Sequence, residues 1–121
     1  MPVTTHYNGT PFFAVLDDVD ISVKATKGNL KSIVVTNINA AIRYLQIHNK
    51  ASAPASTNVP VLSIPIPAGT ATVPGYLEIG TEVLGEDGIY LNTGVAVGIS
   101  TAAGTFTAAT VTDHTINGIY V

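Results

Sequence analysis

Turn-forming residues interrupt this chain about every 8 to 12 positions, and no 3.6-residue apolar period is sustained between the breaks. Lys27-Gly28-Asn29, Pro74-Gly75, Asp87-Gly88 and Asn92-Thr93-Gly94 are the clearest breaks. Segments this short exclude helices of ordinary length, and the β-branched residues that fill them favour extended backbone. The pattern predicts an all-β domain, a jelly-roll or β-sandwich of about eight short antiparallel strands.

The individual segments carry that expectation. In "FFAVLDDVDISVKAT", Val19, Ile21 and Val23 alternate with Asp20, Ser22 and Lys24, as in a half-buried strand. "LKSIVVTNINA" gives a strand around Ile33 to Thr36 after a turn in which Gly28-Asn29 suits positive φ. "AIRYLQIHN" sets Ala41, Arg43, Leu45 and Ile47 on one face and Ile42, Tyr44, Gln46 and His48 on the other, so both faces should be mostly covered, as in a strand inside a sandwich or at an interface. Residues 49–59 form a neutral loop of Ala, Ser, Pro, Thr and Asn. Pro60, Pro65 and Pro67 deny ladder hydrogen bonds to "VPVLSIPIPAG" and make it an edge strand or a bulged one. "IYLNTGVAVGIS" reads as a hairpin turning at 92–94, and "TINGIYV" as a closing strand. Residues 1–11 lack any period and read as an extended N-terminal arm, followed by a single domain over 12–121.

Composition narrows the partners. The chain has 121 residues, enough for one core, and no Cys, so disulfides and thiolate metal sites are excluded. Only 11% of residues are charged, against about 25% in typical soluble domains. Thr, Ser, Asn and Gly stand in their place, which makes a neutral, hydrogen-bonding surface suited to lying against other protein. Net charge is −3. Lys24, Lys27 and Lys31 cluster without interleaved aromatics, so no nucleic acid is expected as partner. No apolar run approaches about 18 residues, so no membrane is expected either. "MPVTTHYNGTPFF" lacks a signal-peptide pattern, which predicts use without secretory export.

Candidate chemistry is sparse. Asp17, Asp18 and Asp20 could offer hard oxygens to Ca²⁺, but the EF-hand spacing is absent and Lys24 and Lys27 are near; solvated strand-end charge is expected. Glu78, Glu82, Glu86 and Asp87 form a second acidic group. A glycosidase needs two carboxylates across one cleft, and a small β-domain suggests none. His6, His48 and His114 are scattered. Asp113-His114 with a serine would make a triad, yet no nucleophile elbow exists. Three histidines could also hold Zn²⁺, or one could repeat about a threefold axis; ordinary polar positions are expected instead. Asn8-Gly9-Thr10 matches a glycosylation sequon. Asn117-Gly118 suggests a tight turn or a bulge. Tyr7, Tyr44, Tyr76, Tyr90 and Tyr120 could present sugar-binding rings or fill the core. No enzyme activity, cofactor or metal is assigned.

"YLQIHNKASAP" at 44–54, "VPVLSIPIPAG" at 59–69, "GIYLNTGVAVGIST" at 88–101 and the closing "GIYV" together resemble a pattern of small structural proteins of tailed bacteriophages. The resemblance covers residues 41–121. It implies a virion component made in the host cytoplasm, of the capsid cement or decoration type. Such a protein sits on the head as a homotrimer and takes the major capsid protein as partner. A tail, collar or head-fibre component with an adhesive, glycan-binding role is the alternative it implies. Residues expected at the partner interface are Val3, Tyr7, Phe12 and Phe13 around the arm, and Pro54 and Pro60 of the neutral loop. A disordered terminus, with Phe12 and Phe13 in the core, is the competing expectation.

Overall fold

The computed structural model describes residues 9–14, 20–110 and 112–121. Nine strands and one turn of helix are present among them: β1 (Thr10–Ala14), β2 (Asp20–Lys24), β3 (Gly28–Asn37), β4 (Arg43–Asn49), β5 (Leu62–Ile66), β6 (Gly75–Ile79), α1 (Thr81–Leu84), β7 (Ile89–Leu91), β8 (Val95–Ser100) and β9 (His114–Tyr120). Sheet A runs β1-β9-β3-β6, with β7 also on β3; sheet B runs β2-β8-β4-β5. Every pairing is antiparallel.

The chain is one long ribbon folded back on itself. β1 pairs β9, β2 pairs β8, β3 pairs β6 and β4 pairs β5, and successive rungs of the ribbon alternate between the sheets. Contacts β9–β3 and β8–β4 close each sheet. This winding is a jelly roll, and β7 is an added short strand beside the first residues of β3.

Alternation along the strands sets the core between the sheets. Ile33, Val35 and Ile116 of sheet A and Leu45, Ile47, Val97 and Ile99 of sheet B are fully buried and belong to one cluster. Ile21 and Val23 pack against it, as their period of two predicts. β5, interrupted by Pro65, is an outer strand of its sheet, as expected. Thr10 and Pro11, assigned by pattern to the arm, are the first residues of β1 and lie opposite Tyr120 and Ile119. Asp17 and Asp18 and residues 1–8 lie outside the described residues.

Three local expectations are corrected. The residues around 92–94 do not make a hairpin: β7 belongs to sheet A and β8 to sheet B. Asn49 explains the crossing, because its Oδ1 accepts the N–H of Thr93 at 2.9 Å and its Nδ2 donates to Asn92 Oδ1 at 2.7 Å. The turn before β3 is made by Ala25–Lys27, with Gly28 and Asn29 already extended in the strand. The irregularity at the last strand belongs to β3: two of its steps, Leu30 to Ser32, face one step of β9, Tyr120 to Ile119, leaving Lys31 as the extra residue.

Candidate interaction surface

The two outer faces of the sandwich differ in kind. That of sheet B is closed over β8 and β4 by the chain itself. All six residues of β8 are buried, and so are Leu45, Gln46, Ile47 and His48 of β4. Phe106 supplies the cover. A Cβ on Gly98 would stand 2.5 Å from the Phe106 ring, so the absent side chain is what lets the ring lie on the strand. The ring also meets His48 edge-on, with centroids 5.9 Å apart. The neutral loop clamps the Phe106 backbone: Thr57 N–H donates to Phe106 O at 2.9 Å and Phe106 N–H to Asn58 O at 2.8 Å. Lys50 Nζ and Ala55 N–H both donate to Asn58 Oδ1 at 2.8 Å, which fixes the loop's own shape.

Beneath Phe106 lies a polar network. Gln46 Nε2 donates to the carbonyls of Ala102, Thr105 and Ala103 at 2.8, 3.2 and 3.3 Å. Because the amide nitrogen faces acceptors, Gln46 Oε1 must receive the His48 Nε2–H, at 3.0 Å. Ser100 Oγ donates to Thr105 O and accepts the N–H groups of Ala102 and Thr107. The 101–107 segment therefore owes its path to side chains of the sheet it covers.

Both described histidines are buried, and burial lowers the proton affinity of each. For His48 the Lys50 charge adds to the effect. For His114 the Arg43 charge adds, while the Thr110 carbonyl and Asp113 oppose it. Each folded-state pKa lies below the unfolded value of 6.5, so the unfolded chain binds more protons below that pH. The histidine contribution to stability is complete above about pH 6.5 and is lost as pH falls. Thermal unfolding should show a melting temperature that drops between about pH 7 and pH 5, with a shallower drop in His48→Gln and His114→Gln; equal slopes in all three proteins would refute this origin.

No described segment covers the outer face of sheet A. Three cross-strand rows make it: Pro11, Ile119 and Ser32; Phe13, Asn117, Val34 and Glu78; Thr115, Thr36 and Tyr76. Glu78 is the only charged side chain in these rows. Phe13 is 63% and Tyr76 62% exposed, high values for aromatic side chains. Thr36 and Thr115 tie their hydroxyls together across the strands. A shallow depression of about 270 Å³ opens among Pro11, Ser32, Val34, Asn117 and Ile119, beside Gly118. Tyr90, on β7 next to Asn29, is a further exposed ring.

The expected interface residues separate on this geometry. Phe13 stands on that face, while Phe12 is half-buried against the core, its ring 6.1 Å from that of Tyr120. Pro54 is buried within its own chain and Pro60 is half-buried, so the neutral loop has an internal task. Val3 and Tyr7 lie outside the described residues, as do His6 and Asn8. Sequence reasoning did not gather Ile119, Val34, Thr36 and Tyr76 into one surface. The alternation of Val34 and Thr36 with Ile33 and Val35 was visible, but the strand order that sets them with Ile119 and Tyr76 beside Phe13 was not.

The residues weighed for catalysis are dispersed. Asp113 receives Asn39 Nδ2 at 2.6 Å, and His114 donates from Nδ1 to Thr110 O at 3.2 Å, so neither serves the other in a triad. Glu82 accepts the Gly80 N–H at the start of α1, a single turn within the acidic segment, and Glu78, Glu86 and Asp87 are exposed. Among the described residues no group of three or more His, Asp or Glu is gathered as a metal ion requires. Among them, too, no helix is long and apolar enough to cross a membrane. No family model, no curated protein and no solved structure matches this chain.

Proposed function

We propose that this protein is a cement, or decoration, protein of a tailed-phage head: it docks on the assembled coat as a homotrimer and acts without performing a reaction. One observation carries the reading. Two described segments cover sheet B, whereas none of the described segments covers sheet A, where Phe13, Tyr76, Val34 and Ile119 stand on a nearly uncharged surface. Aromatic anchors in a neutral patch are what a stable protein contact uses. Seams of about 800 Å² each, repeated around a trimer, add through multivalency and brace the shell. Jelly rolls recur in viral coat and lectin domains, which is an analogy of fold and carries no weight about the site.

Particles from the encoding virus should carry this protein in many copies on the head, and the purified protein should have the mass of three chains. Phe13→Ala and Tyr76→Ala should each weaken binding to heads by about 30-fold, the effect of removing a hot-spot aromatic worth about 2 kcal/mol. Their folding stability should change by less than about 0.5 kcal/mol, since both rings are solvated. Absence from heads, or binding indifferent to both changes, refutes the reading. A tail, collar or fibre adhesin is favoured by the exposed Tyr76 and Tyr90 rings, which suit stacking on sugars. That alternative predicts few copies per particle, located away from the head, and retention on immobilised glycans that Tyr90→Ala abolishes.

A further inference from the structure

We propose that one buried water molecule joins the two sheets at an end of the sandwich, donating to His114 Nε2 and accepting from the Arg43 Nε–H. His114 and Arg43 are the first residues of β9 and β4. Both lie on inward faces, because Ile116 and Leu45, two positions on in each strand, are fully buried in the core. Asn37 is the cross-strand partner of His114 and donates to Ala41 O at 3.0 Å and Pro67 O at 3.1 Å. Those carbonyls flank the start of β4 and the end of β5, where Arg43 pairs with Ile66. The same end of both sheets is thereby drawn together. Arg43 is near enough for its charge to disfavour protonation of His114.

Donor and acceptor counting then specifies the guest. His114 is fully buried, and its Nδ1 faces the Thr110 carbonyl, which can only accept. The ring proton is therefore on Nδ1, and Nε2 presents a lone pair. Among the described residues Nε2 is buried with no partner, and so is Arg43 Nε, which can only donate. Arg43 Nη1 is directed to Ile42 O at 3.3 Å, and the Asp113 carboxylate is held by Asn39 Nδ2. Orphaned buried groups of this kind are rare in folded proteins unless water serves them. The guest must donate to one atom and accept from the other. Chloride or a carboxylate accepts only, and a metal cation bound to Nε2 would face the guanidinium charge. Water meets both demands.

A crystal structure of the full chain, grown above the histidine range with bromide as the halide, tests this. The expected result is an oxygen-sized peak within about 2.7–3.2 Å of both atoms and no anomalous signal there. An anomalous peak, no peak, or a peak bonded to only one of the two atoms overturns the proposal. In solution, long-range ¹H–¹⁵N correlation should show His114 as the Nδ1–H tautomer, and Arg43→Met should shift the His114 Nε2 resonance while keeping that tautomer. An Nε2–H tautomer in the wild type also overturns it.

Discussion

Phe106→Ala is expected to remove about 3–5 kcal/mol of folding stability, the usual cost of emptying a fully packed phenylalanine site. Phe106 is only 2% exposed although it belongs to an irregular segment outside both sheets. Its loss uncovers Gly98 and the edge of the His48 ring, and it removes the anchor of the residue whose backbone ties the 50–61 loop to the 101–110 segment. Denaturant unfolding should show the drop in stability. Hydrogen exchange should show loss of protection at the Thr57 and Phe106 amides, with the β3 and β9 ladder less affected. Gly98→Ala tests the same contact from below. Its methyl would intrude on the ring, since a Cβ there lies 2.5 Å from Phe106 Cε1, at a cost of about 1–3 kcal/mol. In a Phe106→Ala background the methyl has space, so the second change should be nearly neutral or stabilising. Additive effects of the two substitutions would mean that the ring does not rest on Gly98.

This contact also shows where sequence reading stops. The period of two in β2 and β4, the prolines of β5 and the β-rich composition foretold a two-sheet sandwich, because burial of alternate side chains is a local property. The expectation that both faces of "AIRYLQIHN" are covered was met at Leu45 through His48. What covers them was not legible: Phe106 is 60 residues from Gln46 in the chain, and nothing local to "GTFTAA" marks its ring as a core element. The neutral loop was legible as a loop but not as a clamp, since its hydrogen bonds run to Phe106, almost 50 residues further along the chain. The break at 92–94 was legible as a turn, while its crossing between sheets depends on Asn49, more than 40 residues earlier. The outer face of sheet A has the same origin. Phe13, Val34, Tyr76 and Ile119 come from four strands, and only the jelly-roll winding makes them neighbours.

The polar network beneath Phe106 yields the second large effect. Gln46→Glu keeps the shape of the side chain and keeps an oxygen for the His48 Nε2–H, but it replaces the amide nitrogen that faces the Ala102, Ala103 and Thr105 carbonyls. At neutral pH the new carboxylate points one oxygen at three acceptors in a site that is fully buried. A buried charge without adequate partners costs about 3–5 kcal/mol. Part of this is recovered if His48 takes a proton to neutralise it, against the burial and the Lys50 charge that now disfavour one. Lowering the pH should help the variant, because the introduced carboxyl, once protonated, can donate to a carbonyl as the amide did. The stability gap between wild type and Gln46→Glu should therefore narrow as pH falls from about 7 to 5, through the same range in which the wild type itself weakens. Gln46→Leu separates charge from lost hydrogen bonds: it should cost about 1–3 kcal/mol through the unpaired His48 N–H, with no narrowing of the gap at low pH. If the two substitutions cost the same at every pH, the three carbonyls do not face a donor at Gln46, and the 101–107 segment is held by Ser100 and Phe106 alone.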